Sequence, residues 1–574
     1  MRHLRHEFEF CVVGGGLAGM CAAVAAARHG VKTALIHDRP VLGGNASSEI
    51  RMWICGAHGE NMRETGIVEE ILLDNRCRNP EFSYAQWDAL LYEKVAFQEN
   101  LTCFLNCSCI DAEMAGSRMV SVKGWQLTTE TWHTIQADGF ADCSGDSILA
   151  PLSGADFRLG RESSAEFGES IAPKQADDLT MGMSCLIQAR ETDRPHRFVP
   201  PSWAYRYESD DDLPNRGHNL QTNFWWIEIG GEADSIHDAE ENRDELLKIA
   251  YGVWDHIKNR GDHQADNWVL DWVGFLPGKR ESRRYVGDHM LTQDEVRAEG
   301  RFEDVVAYGG WSMDDHHPAG FRYPGQPTIH HPAPSPFGIP YGCLYSRNIE
   351  NLFCAGRNIS ATHAAMSSTR VMATCAILGQ AVGTAAALTV EHQTSPRGVG
   401  GGYLEELQQR LLKDDCFLPW CRRKIGVILE MAKLRASVGD PEPLRSGVDR
   451  PFEGADNAWT GKVGGILEIE FDRPRRLQGV RLVFDSDLKG NYRNLPAMRP
   501  LDLHPATPPA TLVKSFRVAI ADRAGAWREV ANVADNHQRL VRLDLPAVEA
   551  RALKLTVDSS WGEETVRVFA VDPE

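Results

Sequence analysis

Six residues near the start of the chain, Gly14-Gly15-Gly16-Leu17-Ala18-Gly19, have the composition and spacing of a turn that cradles a pyrophosphate. Gly14 permits the tight turn, Gly16 lets the backbone approach the anion, and Gly19 lets the following helix pack close, while the first N–H groups of that helix face the negative charge. A second group of chemically apt side chains lies far downstream: Trp311-Ser312-Met313-Asp314-Asp315-His316-His317-Pro318, then His330-His331 in a Pro-rich loop, then His363. Removing a hydride from an alcohol needs a carbon held about 3–3.5 Å from the acceptor and a base for the hydroxyl proton, most often His. Asp314 and His316 fit an orienting carboxylate and a base; His363, shortly after Gly356-Arg357, is the rival base. Arg280 and Arg283, within Lys279–Arg284, offer either bidentate contacts to a hydroxylated or anionic substrate or a buried ion-pair network. Arg51 reads either as facing the same cleft or as the partner of Glu49.

These residues need elements to hold them. Phe8–Val13 reads as a strand, Met20–His29 as an Ala-rich helix capped by Gly30, and Val31–Ile36 as a second strand, so the glycines stand inside a βαβ unit. The carboxylate that grips an adenosine ribose is expected about 20 residues on, where His37 stands with Asp38 after it. Either the imidazole takes the ribose hydroxyl or Asp38 turns to it; the sequence leaves both open. Asn351–Arg357 reads as a short buried strand ending at Gly356, followed by a small-residue helix, Ala373–Leu388, whose Gly379-Gln380-Ala381-Val382-Gly383 lets it lie close to a planar ring. Between them lie an aromatic strand, Asn223–Ile229, and an amphipathic helix, Asp238–Asn259; Asp210-Asp211-Asp212 reads as a solvated loop.

Taken together, Gly14–Gly19, Leu42-Gly43-Gly44-Asn45, Asp142-Cys143-Ser144-Gly145-Asp146, Gly278–Arg284, Gly310–Gly320 and Asn351–Ala387 resemble the FAD-dependent oxidoreductase family, of the glutathione-reductase and fumarate-reductase type, over roughly residues 8–435. The resemblance implies FAD as cofactor. Its contacts are then Gly14, Gly16, Leu17, Ala18, Gly19, His37, Asp38, Arg39, Gly43, Gly44, Asn45, Ser144, Gly145, Asp146, Gly356, Arg357 and Gly379. The resemblance also matches Asp314 and His316 to the family motif. His317 stands where relatives often have another residue, and joins Arg51, Arg280 and Arg283 as a substrate contact. His37 replaces the common Glu, and Arg357 stands where many relatives have Asp. No second GxGxxG lies between a strand and a helix, Gly398–Gly402 reads as a linker, and no separate NAD(P)H domain is expected.

Beyond a linker near Ser437–Ser446 the pattern changes to short alternating strands, Ile466–Phe471, Leu477–Phe484, Ser515–Ile520, Arg539–Leu545, Ala552–Val557 and Val566–Val571. This part is similar to discoidin or coagulation-factor type C modules. Such modules often bind glycans, and Trp459 or Trp561 could stack on a sugar or fill the sandwich core. The expected fold is α/β: a Rossmann-like FAD-binding domain (1–150, returning at 346–436), an inserted mixed α+β substrate domain (151–345) and a C-terminal all-β sandwich (447–574).

Composition narrows the function. The net charge of −19 disfavours nucleic acid. No apolar stretch is read as spanning a membrane, because Gly, Arg, His or Asp interrupts each candidate. The 14 Cys are scattered through apolar runs, which points to a reducing, cytoplasmic setting, and Cys103, Cys107 and Cys109 lack metal-ligand spacing, so no metal site is assigned. The reading is an FAD-dependent oxidoreductase moving a hydride between a hydroxyl-bearing small molecule, such as a sugar or glycoside, and flavin N5. Its rivals are a flavin monooxygenase, a transient-redox lyase or hydrolase, and a glycan-binding protein on a flavoprotein scaffold. A homo-oligomer stays open.

Overall fold

The apolar run before the glycine turn is strand β1 (Phe10–Val13), buried at the centre of a five-stranded parallel sheet in the computed structural model. The structure describes residues 1–220, 223–261, 263–490, 494–495 and 506–574. With β2 (Thr33–Ile36), β3 (Leu101–Phe104), β4 (Gly139–Asp142) and β5 (Leu352–Cys354), the sheet order is β3-β2-β1-β4-β5. The register brings Phe104, Ile36, Val13, Asp142 and Cys354 into one row, so all five strands end together. In an open parallel sheet a ligand crevice forms outside those carboxyl ends.

Helix α1 (Leu17–Arg28) starts directly from the glycine turn and is buried over Leu17–Ala27. Helix α2 (Met372–Glu391) crosses it through small residues. A Cβ on Gly379 would run into the Ala18 carbonyl, and one on Gly383 into that of Ala22. Gly379 therefore serves helix packing, not contact with a ring. Helix α2 also corrects the membrane reading, since its glycines do not interrupt it: it is long and apolar enough to cross a bilayer by length and composition, yet 89% of its most apolar window is buried inside the protein.

Several local readings change where tertiary context decides. Of Asn223–Ile229 only Glu228–Ile229 forms a strand. The amphipathic helix runs Ala239–Asp255 and continues as a π turn, His256–Arg260. Its apolar face packs with Met183, Trp226 and Ile229 in a separate hydrophobic cluster. The supposed linker Gly398–Gly402 lies in a helix, Pro396–Gly402, because Ser395 caps the Gly398 N–H and Pro396 occupies the first turn. Met313–His316 pairs with Thr328–His331 as an antiparallel hairpin, with Asp314 opposite His330 and His316 opposite Thr328.

The chain divides into two compact units: Met1–Ala57, Phe82–Leu407 and Arg493–His504 form one; His58–Glu81, Gln408–Tyr492 and Pro505–Glu574 form the other. Residues 58–81, inside the expected 1–150 segment, thus belong to the second unit. Their helix Ile67–Arg78 places Leu73 in that unit's core and Glu69 on Ser486. The β-rich part begins before 447, since Lys433–Ala436 pairs with a 19-residue strand, Ile466–Phe484. Arg539–Leu545 and Ala552–Val557 are parts of one bent strand, Leu540–Ser560. Trp459 is fully buried in this core, with its indole N–H on the Val438 carbonyl, so it is closed to a sugar.

The α1–α2 crossing yields a stability prediction. Gly379→Ala should cost about 1–3 kcal/mol by overpacking. Gly401→Ala, with nothing within 4 Å of the added methyl, should be neutral or stabilise by up to about 1 kcal/mol. Thermal or urea unfolding midpoints of the two variants check the contrast.

Candidate functional site

A cleft of about 630 Å³ opens at the carboxyl ends of the sheet. Its first group of wall residues comes from the glycine turn and its neighbours. Gly14 has φ +106°, and a Cβ there would strike the Cys143 carbonyl. Gly16 differs: its nearest neighbour beyond a Cβ is the Gly44 Cα at 3.9 Å, so this side of the turn is open to the cleft. Gly43 (φ +101°) donates its N–H to the Gly15 carbonyl at 2.9 Å, which locks the two glycine turns together. Gly19 packs against Gly14 and does not line the cleft.

His37 lies beneath this turn. Its Nδ1 accepts the Gly15 N–H at 3.0 Å, and its Nε2 lies 3.0 Å from the Val41 carbonyl. The imidazole is thus engaged by the backbone on both nitrogens, its Nδ1 also lies 3.2 Å from Asp38 Oδ1, and Asp38 lines the cleft with its side chain 62% exposed. Arg39 completes this edge. One of its terminal nitrogens is buried 3.6 Å from Glu49, and the other is 4.0 Å from where a Gly44 Cβ would be.

The Ser144–Asp146 turn is built from the end of β4. Asp142 accepts hydrogen bonds from the Ser144 N–H and hydroxyl, the Leu149 N–H and the Tyr285 hydroxyl, and burial pushes its carboxyl up. Gly145 (φ +81°) lets the backbone pass the Arg357 guanidinium. Asp146 is bound by Arg357 at 2.9 Å and Lys279 at 2.8 Å; burial opposes ionisation, but these cations outweigh it and hold the carboxyl below its usual range. Asn45 donates to the Lys279 carbonyl at 3.0 Å. Ser144, Gly145, Asp146, Gly356, Arg357, Leu17, Ala18, Gly43, Gly44 and Asn45 all line the cleft, as do the first residues of α2.

The second group of wall residues comes from the 313–331 hairpin. Side chains alternate along a strand, and this register puts Asp314, His316, Thr328 and His330 on the cleft. Asp315 takes the opposite direction. His316 has Nδ1 2.7 Å from Glu228 and Nε2 3.3 Å from Asp314, so both ring nitrogens face carboxylates. Asp314 thus meets His316 as the sequence suggests, but Glu228 takes the other ring nitrogen, so neither nitrogen is left for a substrate proton. Arg370 donates to Asp314 at 3.1 Å, and Arg280 lies 3.2 Å from Glu228. Burial raises both carboxyls, but His316 and Arg370 draw Asp314, and Arg280 and His316 draw Glu228, below the usual range. His330 is the cleft histidine with a nitrogen to spare: Nδ1 sits 3.1 Å from the Ser312 hydroxyl and 3.4 Å from Asp314, with the side chain 56% exposed. Trp225 and Trp311 flank the group.

Four expected site residues fall elsewhere, because tertiary partners claim them. His363 heads a short helix behind the hairpin, its Nδ1 2.9 Å from Glu281 and its Nε2 3.2 Å from Asp315, and does not line the cleft. Burial would lower its pKa, but Glu281 and Asp315 push it up to about 10, so it is a cation at neutral pH and no base. His317 stacks on Tyr323 at 3.7 Å. Arg51 is held by Tyr84, Trp272 and Gln188. Arg283 lies over Phe157 and is likewise off the cleft wall, which leaves Arg280 as the expected substrate contact on it. Arg370 escaped the sequence reading although it carries a signal: it is the lone Asp, Glu, Lys or Arg between Arg357 and Glu391.

The donor set fits a dinucleotide. Helix α1 begins at the open glycine, with no acidic residue in its first turn. Arg357 keeps its Nε buried without a hydrogen-bond partner among the described residues, and Arg39, whose Nη1 lies 3.6 Å from Glu49, adds a second cation to the cleft wall.

Comparison with known proteins agrees. A family model described as FAD dependent oxidoreductase matches residues 9–411. No curated protein matches the chain. Among solved structures, the family 32 carbohydrate-binding module of Streptococcus pneumoniae EndoD is 16% identical, covering 26% of this chain and 97% of that one at a TM-score of 0.21. The family 32 module of C. perfringens NanJ, solved with galactose, is 9% identical over 25% of this chain and 94% of that one, with a TM-score of 0.19.

The His363 cluster predicts a pH dependence. A histidine whose pKa is raised on folding contributes fully below its unfolded value near 6.5, and that contribution is lost as pH rises through about 10. Urea midpoints should therefore fall over this window in the unmodified chain, and His363→Gln should flatten that fall.

Proposed function

The chain belongs to the FAD dependent oxidoreductase family, and from that membership we propose that it oxidises a neutral, hydroxyl-bearing small molecule, with sugars and polyols as the first candidates. FAD supplies a two-electron acceptor when bound. Its pyrophosphate would be held by the backbone N–H groups at the start of α1, the Gly16–Gly44 approach and Arg39. Asp38 is the residue left for the ribose, since His37 is engaged by the Gly15 and Val41 backbone. The positive end of the α2 dipole faces the same cleft and would favour an electron-rich ring edge.

One observation carries the substrate class. The hairpin group pairs its two guanidiniums, Arg280 and Arg370, with its two carboxylates, Glu228 and Asp314. Each guanidinium is already matched by a carboxylate, and His316 lies between the two carboxylates, so the wall presents directed donors and acceptors and leaves neither guanidinium unmatched for an anion. Trp225 and Trp311 beside them suit a ring with apolar C–H faces. In this reading His330 removes the hydroxyl proton, Asp314 and Ser312 orient its imidazole, and Arg280 and Arg370 position substrate oxygens.

Anaerobic mixing of the flavin-loaded enzyme with sugars, polyols and hydroxy acids tests this. A sugar or polyol should bleach the flavin, His330→Gln should slow bleaching by about 10²–10⁴-fold, and His317→Gln should leave it nearly unchanged. Unaltered bleaching in His330→Gln would overturn the assignment of the base. Substrate-dependent oxygen consumption driven by NAD(P)H, with no bleaching by any alcohol, would point to a monooxygenase.

A further inference from the structure

Three histidines and an aspartate converge away from the cleft. Asp210 lies in a short turn, His218 in the loop beyond it, His256 at the end of the helix Ala239–Asp255 and His263 just after the π turn. None of the four lines the cleft. Asp210 Oδ1 is 3.0 Å from His256 Nε2, 3.3 Å from His218 Nε2 and 3.7 Å from His263 Nε2, and the His256 and His263 Nε2 atoms are 3.2 Å apart. The ring centroids form a nearly equilateral triangle of 4.9–5.1 Å sides, with interplanar angles of 68–71°. Three imidazoles thus surround one point as the blades of a propeller.

The second nitrogens say what that point is for. His218 Nδ1 lies 2.5 Å from the Arg216 carbonyl, and His256 Nδ1 lies 3.1 Å from that of Tyr207. A carbonyl only accepts, so these Nδ1 atoms carry the protons and a neutral ring turns the lone pair of Nε2 inward. Lone pairs and a carboxylate oxygen facing one another repel unless a cation lies between them. For metal–nitrogen bonds of 2.0–2.1 Å, the edge of a tetrahedron is about 3.3–3.4 Å, close to the separations seen here.

We propose that Asp210, His218, His256 and His263 bind a tetrahedral divalent transition-metal ion, zinc by ligand type, as a structural site. The sequence reading assigned no metal and took Asp210 for a solvated residue; it is 72% exposed, but its carboxylate closes a pocket whose His256 is fully buried. The ligands come from stretches 38 or more residues apart, too far for a spacing motif to show. Four protein ligands leave no open position, which marks a structural and not a catalytic ion. The ion ties a stretch poor in regular structure to the helix end. Arg216, two residues before His218, donates to the carbonyls of Gly320, Tyr323 and Gly325, inside the hairpin loop. The metal thus braces the support of the hairpin that faces the cleft.

The test uses untagged full-length protein, with Zn²⁺ and Co²⁺ as probes. One equivalent of zinc per chain by elemental analysis, intense tetrahedral d–d bands after Co²⁺ exchange, and a lower melting temperature after chelation are expected. Asp210→Ala, at an exposed position, keeps the test independent of folding defects and should weaken binding by more than the roughly ten- to hundredfold that loss of an outer-shell partner costs; His263→Gln should do the same. Flavin content, read separately, should not change in either variant. Wild-type protein that takes up no more Zn²⁺ or Co²⁺ than an Asp210→Ala/His263→Gln double variant would overturn the proposal, leaving an ordinary histidine–aspartate cluster.

Discussion

The cleft depends on backbone meeting backbone. Gly14 against Cys143, Gly19 against Gly14, Gly16 against Gly44 and Gly379 against Ala18 are contacts in which a methyl group would collide or fill the space. Together they hold α1 against the sheet and α2 against α1. The start of each helix then lies at the row of strand ends, where the positive ends of two helix dipoles face one space. An anionic dinucleotide is the complement of such a wall. Side chains at Gly14, Gly19 or Gly379 would push these elements apart, whereas one at Gly16 would project into the cleft itself.

The opposite wall rests on a different constraint, the two-residue period of a strand. In the hairpin, Asp314 and His316 face the cleft while Asp315, between them, reaches back to His363. One register therefore separates two histidine networks, one at the cleft and one buried behind it. The cleft network shares two carboxylates among two guanidiniums and His316, and the buried one surrounds His363 with acids and stays cationic. A slip of one residue would exchange the two roles.

What was legible in the sequence is what local geometry decides. The glycine turn, its βαβ flanks and the distant strand ending at Gly356 were readable because each needs particular residues at fixed spacing. The role of His37 was not, since it depends on the Gly15 N–H that the fold brings above the ring. The sequence favours His316 and His363 as bases and His317 as a substrate contact, and only tertiary partners shift the role toward His330. The helix at Pro396–Gly402 was hidden by its glycines, although Ser395 and Pro396 announce its start. The unit boundary was misplaced for a related reason: residues 58–81 carry no change of pattern, and their membership of the second unit rests on long-range contacts such as Arg450 with the Asn61 and Arg63 carbonyls.

The central claim is that the glycine-built cleft holds FAD. Proteolysis and denaturation of the purified full chain, followed by chromatographic identification of any flavin released free or on a peptide, tests it most directly. One equivalent of FAD per chain is the predicted result, either as purified or after incubation with FAD. A chain that carries no flavin and takes up none from solution would contradict the account.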